Sequence, residues 1–428
     1  MRPVAHLDLD AFFASASVLR RPDLAARPLV VANTGPHSVV ATASYEARRF
    51  GVHSAMPLGE ARRRCPGLVV VAPDFAWYRT LSLEVLRVIA DFADEVQPLS
   101  LDEAFFVAGP RTDDEMEDLI RRLRVAVYAE TGLRASVGAG PTRTVAKMAS
   151  DAAKPDGQLV VPAERAREWL ARQELSAVPG VGPSTRDTLA DAGVLSVAQL
   201  ASLSPHELPA RLGSHGRDLW RRVRAEDVLD GPLVTPEPTH SIGSEETLDS
   251  PARTLEEFRR AVRAQARVAA DRLARAGLST RGLTLKVRTT LFEDRTRSAA
   301  LGLATNDEWV IATQLERLIA ATWAELHSPV RLVGVTFTGL GTVVQLRLPL
   351  DAHPARQWDV VRSPHAGEWV EHSVFGHGRV VVYEPDVAVV RFADRARIIR
   401  EPRKHLILSE IVRKMLAPPG DNSTTSQQ

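Results

Sequence analysis

Apolar runs of strand length alternate with amphipathic stretches of helix length, and that alternation confines this chain to mixed α and β architectures. Val4 to Leu9 reads as a strand. Side chains on a strand alternate, so His6, Asp8 and Asp10 fall on one face. Pro28 to Ala32 and Val39 to Ala43 read as further short strands. Between Trp77 and Asp94, Leu81, Val85, Ile89 and Phe92 approximate a helical stripe. Ala104 to Ala108 is a strand, and Thr112 with Glu115 makes a capping box for a helix that stops near Gly132. A strand from Arg134 to Ala139 and a helix from Thr142 to Ala153 follow. The order predicts an α+β sheet with its helices packed on one face.

A length of 428 residues calls for about two to four domains. From Arg165 the pattern turns helical, and Gly231-Pro232 through Pro238 reads as a linker. A second α+β domain follows, with helices over Leu255–Ala276 and Trp309–Leu326 and strands over Gly282–Thr290 and Val330–Gly339. Trp369 to Phe392 reads as short strands, and the end from Ala417 as a disordered tail. The single cysteine, Cys65, excludes an internal disulfide framework, and the first residues lack an apolar signal core, so a cytoplasmic protein is expected. No apolar run approaches the roughly 18 to 20 residues of a membrane span, so no membrane partner is expected. A net charge of +1 decides little, but twelve Lys or Arg stand against five acids between Arg253 and Arg297. That segment is either a solvated helix face or a nucleic-acid surface.

Asp8 ends an apolar strand, and Asp102-Glu103 precedes another. Three acids gathered at adjacent strand ends repel one another unless a cation neutralises them, and oxygen ligands favour Mg²⁺. A pair of such ions is a known device for in-line attack at phosphate. Asp-Glu pairs are also commonplace on surfaces, and composition alone does not separate the two readings.

Sequence context does. His6-Leu7-Asp8-Leu9-Asp10-Ala11-Phe12-Phe13-Ala14-Ser15, Ala41 to Val52 with Thr42-Ala43-Ser44-Tyr45-Glu46-Ala47-Arg48, Ser100-Leu101-Asp102-Glu103-Ala104, and Ala146 to Gly157 ending in Lys154-Pro155-Asp156-Gly157 resemble, in this order, the motifs of the Y-family DNA polymerases on their bacterial DNA polymerase IV branch. The resemblance covers residues 4 to 350. It implies a multidomain α+β right hand: a ferredoxin-like palm (1–10 and 74–163), small fingers (11–73), a helical thumb (164–231), a linker (232–239) and an α+β little finger (240–344).

The resemblance also implies a template-directed, low-fidelity, lesion-bypassing DNA polymerase, working as a monomer on primer-template DNA and deoxynucleoside triphosphates. It implies two Mg²⁺ per active site, with Mn²⁺ as an alternative, held by Asp8, Asp102, Glu103 and the backbone carbonyl of Leu9. Phe13 takes the place of the steric gate, a flat ring beneath the sugar that excludes a 2′ hydroxyl, with Phe12 beside it. Thr42, Tyr45, Arg48 and Lys154 match the triphosphate contacts. Asp10 shares the face of Asp8, but the family pattern does not make it a ligand, and it is expected to be structural.

Val178-Pro179-Gly180-Val181-Gly182 has the pattern of a helix-hairpin-helix unit, in which Gly180 and Gly182 bring backbone N–H groups to a phosphate; a plain helix-joining turn is the alternative. Leu212 to Gly216, with Gly213 and Gly216, resembles the family's second such turn. Arg224-Ala225-Glu226-Asp227 stands where many relatives carry a glycine before the aspartate, Ser244 replaces a residue that is often basic, and Ala16-Ser17 replaces a usual valine-glutamate. Lys286, Arg288, Arg295 and Arg297 read as a row of cations on one sheet face that tracks DNA backbone.

Gln345-Leu346-Arg347-Leu348-Pro349-Leu350 resembles a sliding-clamp peptide, with Gln345, Leu346, Leu348 and Leu350 as its anchors. Residues 366–410 resemble small SH3-like β modules of DNA-processing enzymes, and His372 and His377 lack further ligands at metal spacing. Two rivals compete with the polymerase: a catalytically silent, clamp-bound scaffold of a mutagenic complex, and a helix-hairpin-helix repair factor. The first has no physical need for clustered acids, and the second leaves the first four motifs unused.

Overall fold

The computed structural model describes residues 2–227, 231–233 and 240–342, and beyond them the backbone of five further strands. The chain divides into two compact units, Met1–Thr239 and His240–Gln428.

The first unit runs β1 (Val4–Leu9), α1 (Phe12–Arg20), β2 (Leu29–Val31), β3 (Thr42–Ala43), α2 (Tyr45–Arg48), α3 (Leu58–Arg64), β4 (Val69–Val71), α4 (Phe75–Ala90), β5 (Glu95–Pro98), β6 (Glu103–Val107), α5 (Asp113–Thr131), β7 (Ala135–Gly140), α6 (Arg143–Ala152) and β8 (Gln158–Val160). Four helices follow: α7 (Ala166–Ala171), α8 (Pro183–Asp191), α9 (Val197–Ser202) and α10 (Glu207–Val223). The main sheet has the order β5-β6-β1-β7-β8, with β1 antiparallel to both β6 and β7. Leaving out the edge strand β8, this is the ferredoxin-like arrangement, with β1, which carries Asp8, at its centre.

Face assignment follows from the pleat. Ala5, Leu7 and Leu9 of β1 join Tyr78, Leu81 and Val85 of α4 and Met116, Leu119, Ile120 and Leu123 of α5 in one core. The Thr112–Glu115 capping box is formed, and Gly132 closes α5 in a left-handed conformation. The opposite face is not bare, which corrects the expectation of helices on one side. Val4, Phe105 and Val107 pack with Ala146 of α6 there. Glycine makes this layer possible: a Cβ on Gly138 would lie 2.1 Å from the backbone N of Ser150 and 2.3 Å from the Ala146 carbonyl oxygen. The helix therefore rests backbone-on-backbone against β7.

A small sheet, β3-β2-β4, forms a separate core with α2 and α3 around Val30, Val40, Ala47 and Met56. Strand β3 is shorter than expected because Val39 is half exposed and only bridges Pro57. Helices α6 to α10 share a core of Val145, Met148, Leu170, Leu189, Leu200 and Leu219.

In the second unit, β9 (Ser241–Ala252), α11 (Leu255–Arg275), β10 (Thr280–Thr289), β11 (Asp294–Thr305), α12 (Glu308–Trp323) and β12 (Val330–Thr338) build an antiparallel sheet in the order β11-β10-β12-β9. Phe258, Val262, Leu283, Leu285, Val287 and Ile319 fill the core between sheet and helices. Strands β13 (Trp369–His372), β14 (Gly376–Tyr383), β15 (Val387–Phe392), β16 (Ile398–Pro402) and β17 (Leu406–Leu408) form a five-stranded antiparallel sheet. The expected linker lies largely outside the described residues, as do the clamp-peptide anchors Gln345, Leu346, Leu348 and Leu350 and the tail.

Candidate active site

Asp8 and Glu103 are directly opposed on adjacent antiparallel strands, so their side chains leave the sheet on the same face, the one covered by α6. The Leu9 N–H donates to the Asp102 carbonyl at 2.9 Å and locks the two acidic segments together. Asp102 itself is turned toward Ser100, whose hydroxyl donates to Asp102 Oδ1 at 2.5 Å and accepts from the Glu103 N–H at 3.1 Å. Two ammonium groups answer the acids. Lys154 Nζ donates to Asp8 Oδ2 at 2.6 Å and to Asp151 Oδ1 at 2.7 Å, and Lys147 Nζ donates to Glu103 Oε1 at 2.6 Å.

Burial pushes the Asp8 carboxyl up to about 7; Lys154 pulls it down in part, and Glu103 adds to the rise. Burial opposes the charge on Lys154, yet Asp8 and Asp151 more than offset it and hold that ammonium above its ordinary value. His6 is wholly buried, and desolvation with Lys147 and Lys154 lowers it to about 2, so its ring is neutral. Its Nδ1 lies 2.7 Å from the Ser150 hydroxyl, which donates onward to the Lys147 carbonyl. The proton therefore sits on His6 Nδ1, and Nε2 faces Glu103 Oε2 at 4.0 Å without a partner.

Among the described residues no three acid, histidine or cysteine side chains converge as an ion cage in this conformation. The donor chemistry nonetheless fits a hard divalent cation: the carboxylates offer oxygen ligands, and the buried Asp8 and half-buried Glu103 meet at one point where only borrowed ammonium groups answer them.

Of the two phenylalanines, Phe12 is a core residue, 2% exposed. Phe13 stands at the edge of that core, stacked on Tyr78 at 4.4 Å and 17°, with Phe75 edge-on at 5.8 Å. The preceding Ala11 takes a left-handed φ of 46°, and no side chain caps α1. Tyr45 donates its hydroxyl to Asp10 Oδ1 at 3.1 Å, and burial, then the nearby Asp10 carboxylate, raises it to about 12. The Arg48 guanidinium lies over the Tyr45 ring at 4.7 Å and donates to the Ala43 carbonyl. Thr42, partly exposed, pairs with Val31. Sequence reasoning missed Lys147 and Asp151. Their signal was the spacing of Lys147 and Asp151, four apart on a helix whose other face is apolar, with Lys154 three residues further on just past its end.

Gly180 takes a positive φ of 94° and its carbonyl meets His215 Nε2 at 3.1 Å, so the two glycine turns are docked on each other. Gly182 starts α8 with no side-chain cap and open space where a Cβ would stand. Gly213, φ 60°, kinks α10 and is likewise open, whereas Gly216 is buried within it. Ala225 adopts φ 53°, and Asp227 receives the Thr144 hydroxyl at 2.6 Å.

The cation row requires a correction. Lys286 and Arg288 pair with Thr296 and Asp294, while Arg295 and Arg297 oppose Val287 and Leu285, whose side chains enter the core. Lys286 and Arg288 therefore occupy the open sheet face and Arg295 and Arg297 the helix side, where Arg297 meets Glu325. Lys286 and Arg288 are themselves paired with Glu245 and Asp294.

The chain matches the profile of the impB/mucB/samB family over residues 7–151 and that of the family's C-terminal domain over residues 239–348. It is 37% identical over 399 residues to a DNA polymerase IV of Streptomyces coelicolor, covering 88% of this chain and 82% of that one. It is 38% identical over 349 residues to a DNA polymerase IV of Alkalilimnicola ehrlichii, covering 80% and 96%. Among solved structures, a Y-family DNA polymerase chimera superposes with a TM-score of 0.70 over 80% of this chain and 100% of that one, at 20% identity, which shows a shared fold.

Proposed function

We infer that this chain, which belongs to the impB/mucB/samB family and is a Y-family translesion DNA polymerase of the polymerase IV branch, extends primers by two-metal-ion phosphoryl transfer at Asp8, Asp102 and Glu103. The observation that carries the mechanism is the cross-strand opposition of Asp8 and Glu103 beneath two lysines. Asp8, Asp102, Glu103 and the Leu9 carbonyl would hold the ions, Mg²⁺ or Mn²⁺, which would supply charge neutralisation as a primer 3′ hydroxyl displaces pyrophosphate from the α-phosphate of the incoming nucleotide.

The remaining roles belong to the chain's own side chains. Lys154 exchanges Asp8 for phosphate oxygens, while Tyr45, Arg48 and Thr42 hold the rest of the triphosphate. Lys147 fixes the Glu103 carboxylate, and neutral His6 lies beside it. Phe13, backed by Tyr78, presses beneath the sugar and excludes a 2′ hydroxyl. Primer-template DNA is gripped through backbone rather than bases: by N–H groups at Gly180, Gly182 and Gly213 of the thumb, and by Lys286 and Arg288 on the open face of the little finger. The domain boundaries given above, a monomeric state in the cytoplasm, the clamp peptide and a docking role for the C-terminal β module complete the reading.

Primer extension on an undamaged template with Mg²⁺ is the test. The native chain should extend, and Asp102→Ala should lose at least about a thousandfold in rate. Full extension by Asp102→Ala would refute the mechanism, and no extension by the native chain would favour the silent scaffold.

A further inference from the structure

Asp10 lies outside the chemistry assigned above, yet it is one of the most heavily engaged side chains in the first unit. Only 5% of its surface is exposed. Its Oδ1 accepts from the Tyr45 hydroxyl at 3.1 Å and from the Ser136 hydroxyl at 2.9 Å, and its Oδ2 accepts from the Asp156 N–H at 2.7 Å. These donors come from three separate stretches: α2 beside the small sheet, strand β7 next to β1, and the loop that follows α6. Two of the three lead to triphosphate contacts. Tyr45 is one itself and carries Arg48 on its ring. Asp156 stands two residues after Lys154, in a loop that is held from all sides: Arg124 donates to its carboxylate at 2.6 Å, Arg134 pairs with it, and its φ is 50°. A Cβ on the following Gly157 would lie 2.0 Å from the Ala153 carbonyl oxygen, so the loop has no slack.

We propose that Asp10 is a positioning residue for the incoming nucleotide, tying Tyr45 and the Lys154 loop together so that both reach one triphosphate at a fixed spacing. This rests on the nucleotide site assigned above. A buried carboxylate that served packing alone would be replaced at no loss by an apolar side chain. Here each oxygen is instead matched to a donor on one of the two elements that must be held in register. The link also explains why Tyr45 can serve as a platform: its hydroxyl is fixed at one end while the ring supports a guanidinium from above.

Asp10→Asn is the perturbation of choice because it keeps the shape and withdraws one acceptor. With its oxygen toward the Asp156 N–H, the amide donates its NH2 to hydroxyls that had bonded a carboxylate, so charge-assisted ties become weaker neutral ones; turned the other way, it loses the Asp156 tie. Single-nucleotide incorporation and primer-template affinity are measured for the native chain, Asp10→Asn, Tyr45→Phe and the double variant, with Ser136→Ala as a variant that loosens Asp10 without touching a nucleotide contact. Asp10→Asn should raise the KM for deoxynucleotide by about tenfold while kcat changes less than about threefold and the Kd for DNA holds. Tyr45→Phe alone should raise KM by a smaller factor, and the double variant should fall short of the product of the two single effects. An unchanged KM in Asp10→Asn, a parallel rise in KM and DNA Kd, or full multiplicativity in the double variant would overturn the proposal. If Asp10→Asn fails to fold, Tyr45→Phe decides alone, and a KM equal to that of the native chain counts against the tie. A native chain that extends no primer removes the polymerase mechanism itself, whereas normal extension with an indifferent Asp10→Asn removes only this inference.

Discussion

Replacing Phe13 with valine should open the sugar pocket. The Phe13 ring cannot swing aside, because Tyr78 lies parallel beneath it at 4.4 Å and Phe75 closes its edge at 5.8 Å. A ribonucleotide must therefore force its 2′ hydroxyl into filled space. Overpacking of that kind costs about 1–3 kcal/mol. At about 1.4 kcal/mol per tenfold, Phe13→Val should shift the ratio of kcat/KM for ATP over dATP upward by roughly 5- to 150-fold. The same change removes aromatic contacts worth about 0.5–1.5 kcal/mol each, so thermal stability should fall modestly while DNA synthesis stays measurable. The assay is single-nucleotide incorporation opposite template thymine with each nucleotide in turn. Phe12→Val serves as the control: at 2% exposure Phe12 belongs to the core, and its loss should lower stability without altering sugar choice. An unchanged ATP to dATP ratio in Phe13→Val, with dATP incorporation intact, would refute the reasoning.

Asp8 should make the metal-free protein less stable as pH rises. Its folded value, about 7, lies above the ordinary 3.8, so the fold binds the extra proton between those limits and loses stability as pH climbs through them, by up to about 4 kcal/mol. Thermal unfolding in EDTA should show Asp8→Asn matching the native chain near pH 4 and exceeding it near pH 8, and Mg²⁺ should narrow the gap; parallel curves at all pH values contradict this. Ala225 holds a left-handed φ of 53°, so Ala225→Gly should stabilise the first unit by about 1 kcal/mol, read as a raised Tm, and a lowered Tm counts against it. The salt dependence of DNA binding should separate the two faces of the second unit. Lys286→Ala should reduce the slope of log K against log salt by about 1, and Arg295→Ala should leave it alone; the reverse order would contradict the face assignment.

What was legible in the sequence was local. Strand β1 matches its expected bounds because six successive residues carry their own pattern, and α5 starts and stops where Thr112, Glu115 and Gly132 say it should. The strand-end positions of Asp8 and Glu103 were legible for the same reason, each lying in a short run of distinctive residues. What escaped was set by pairing between distant segments. Nothing near Gly138 announces that α6 crosses the second face of the sheet, because the cause is a backbone contact with Ser150 twelve residues on. The cations of β10 and β11 look equivalent along the chain, yet the register of their pairing sends Lys286 and Arg295 to opposite faces. Asp10 looked merely structural because its three donors lie 35, 126 and 146 residues away.

The central claim is that Asp8, Asp102 and Glu103 release their lysine and serine partners to hold two divalent cations against an incoming nucleotide. A crystal structure of the complex with primer-template DNA, a non-hydrolysable deoxynucleoside triphosphate and Mn²⁺, located by anomalous scattering, tests it most directly. Two peaks about 3.5–4 Å apart, both touching Asp8 and Asp102, with Lys154 moved onto phosphate, are the predicted result. Density in which Lys154 still bonds Asp8, Asp102 still faces Ser100, and no ion lies between them would contradict it.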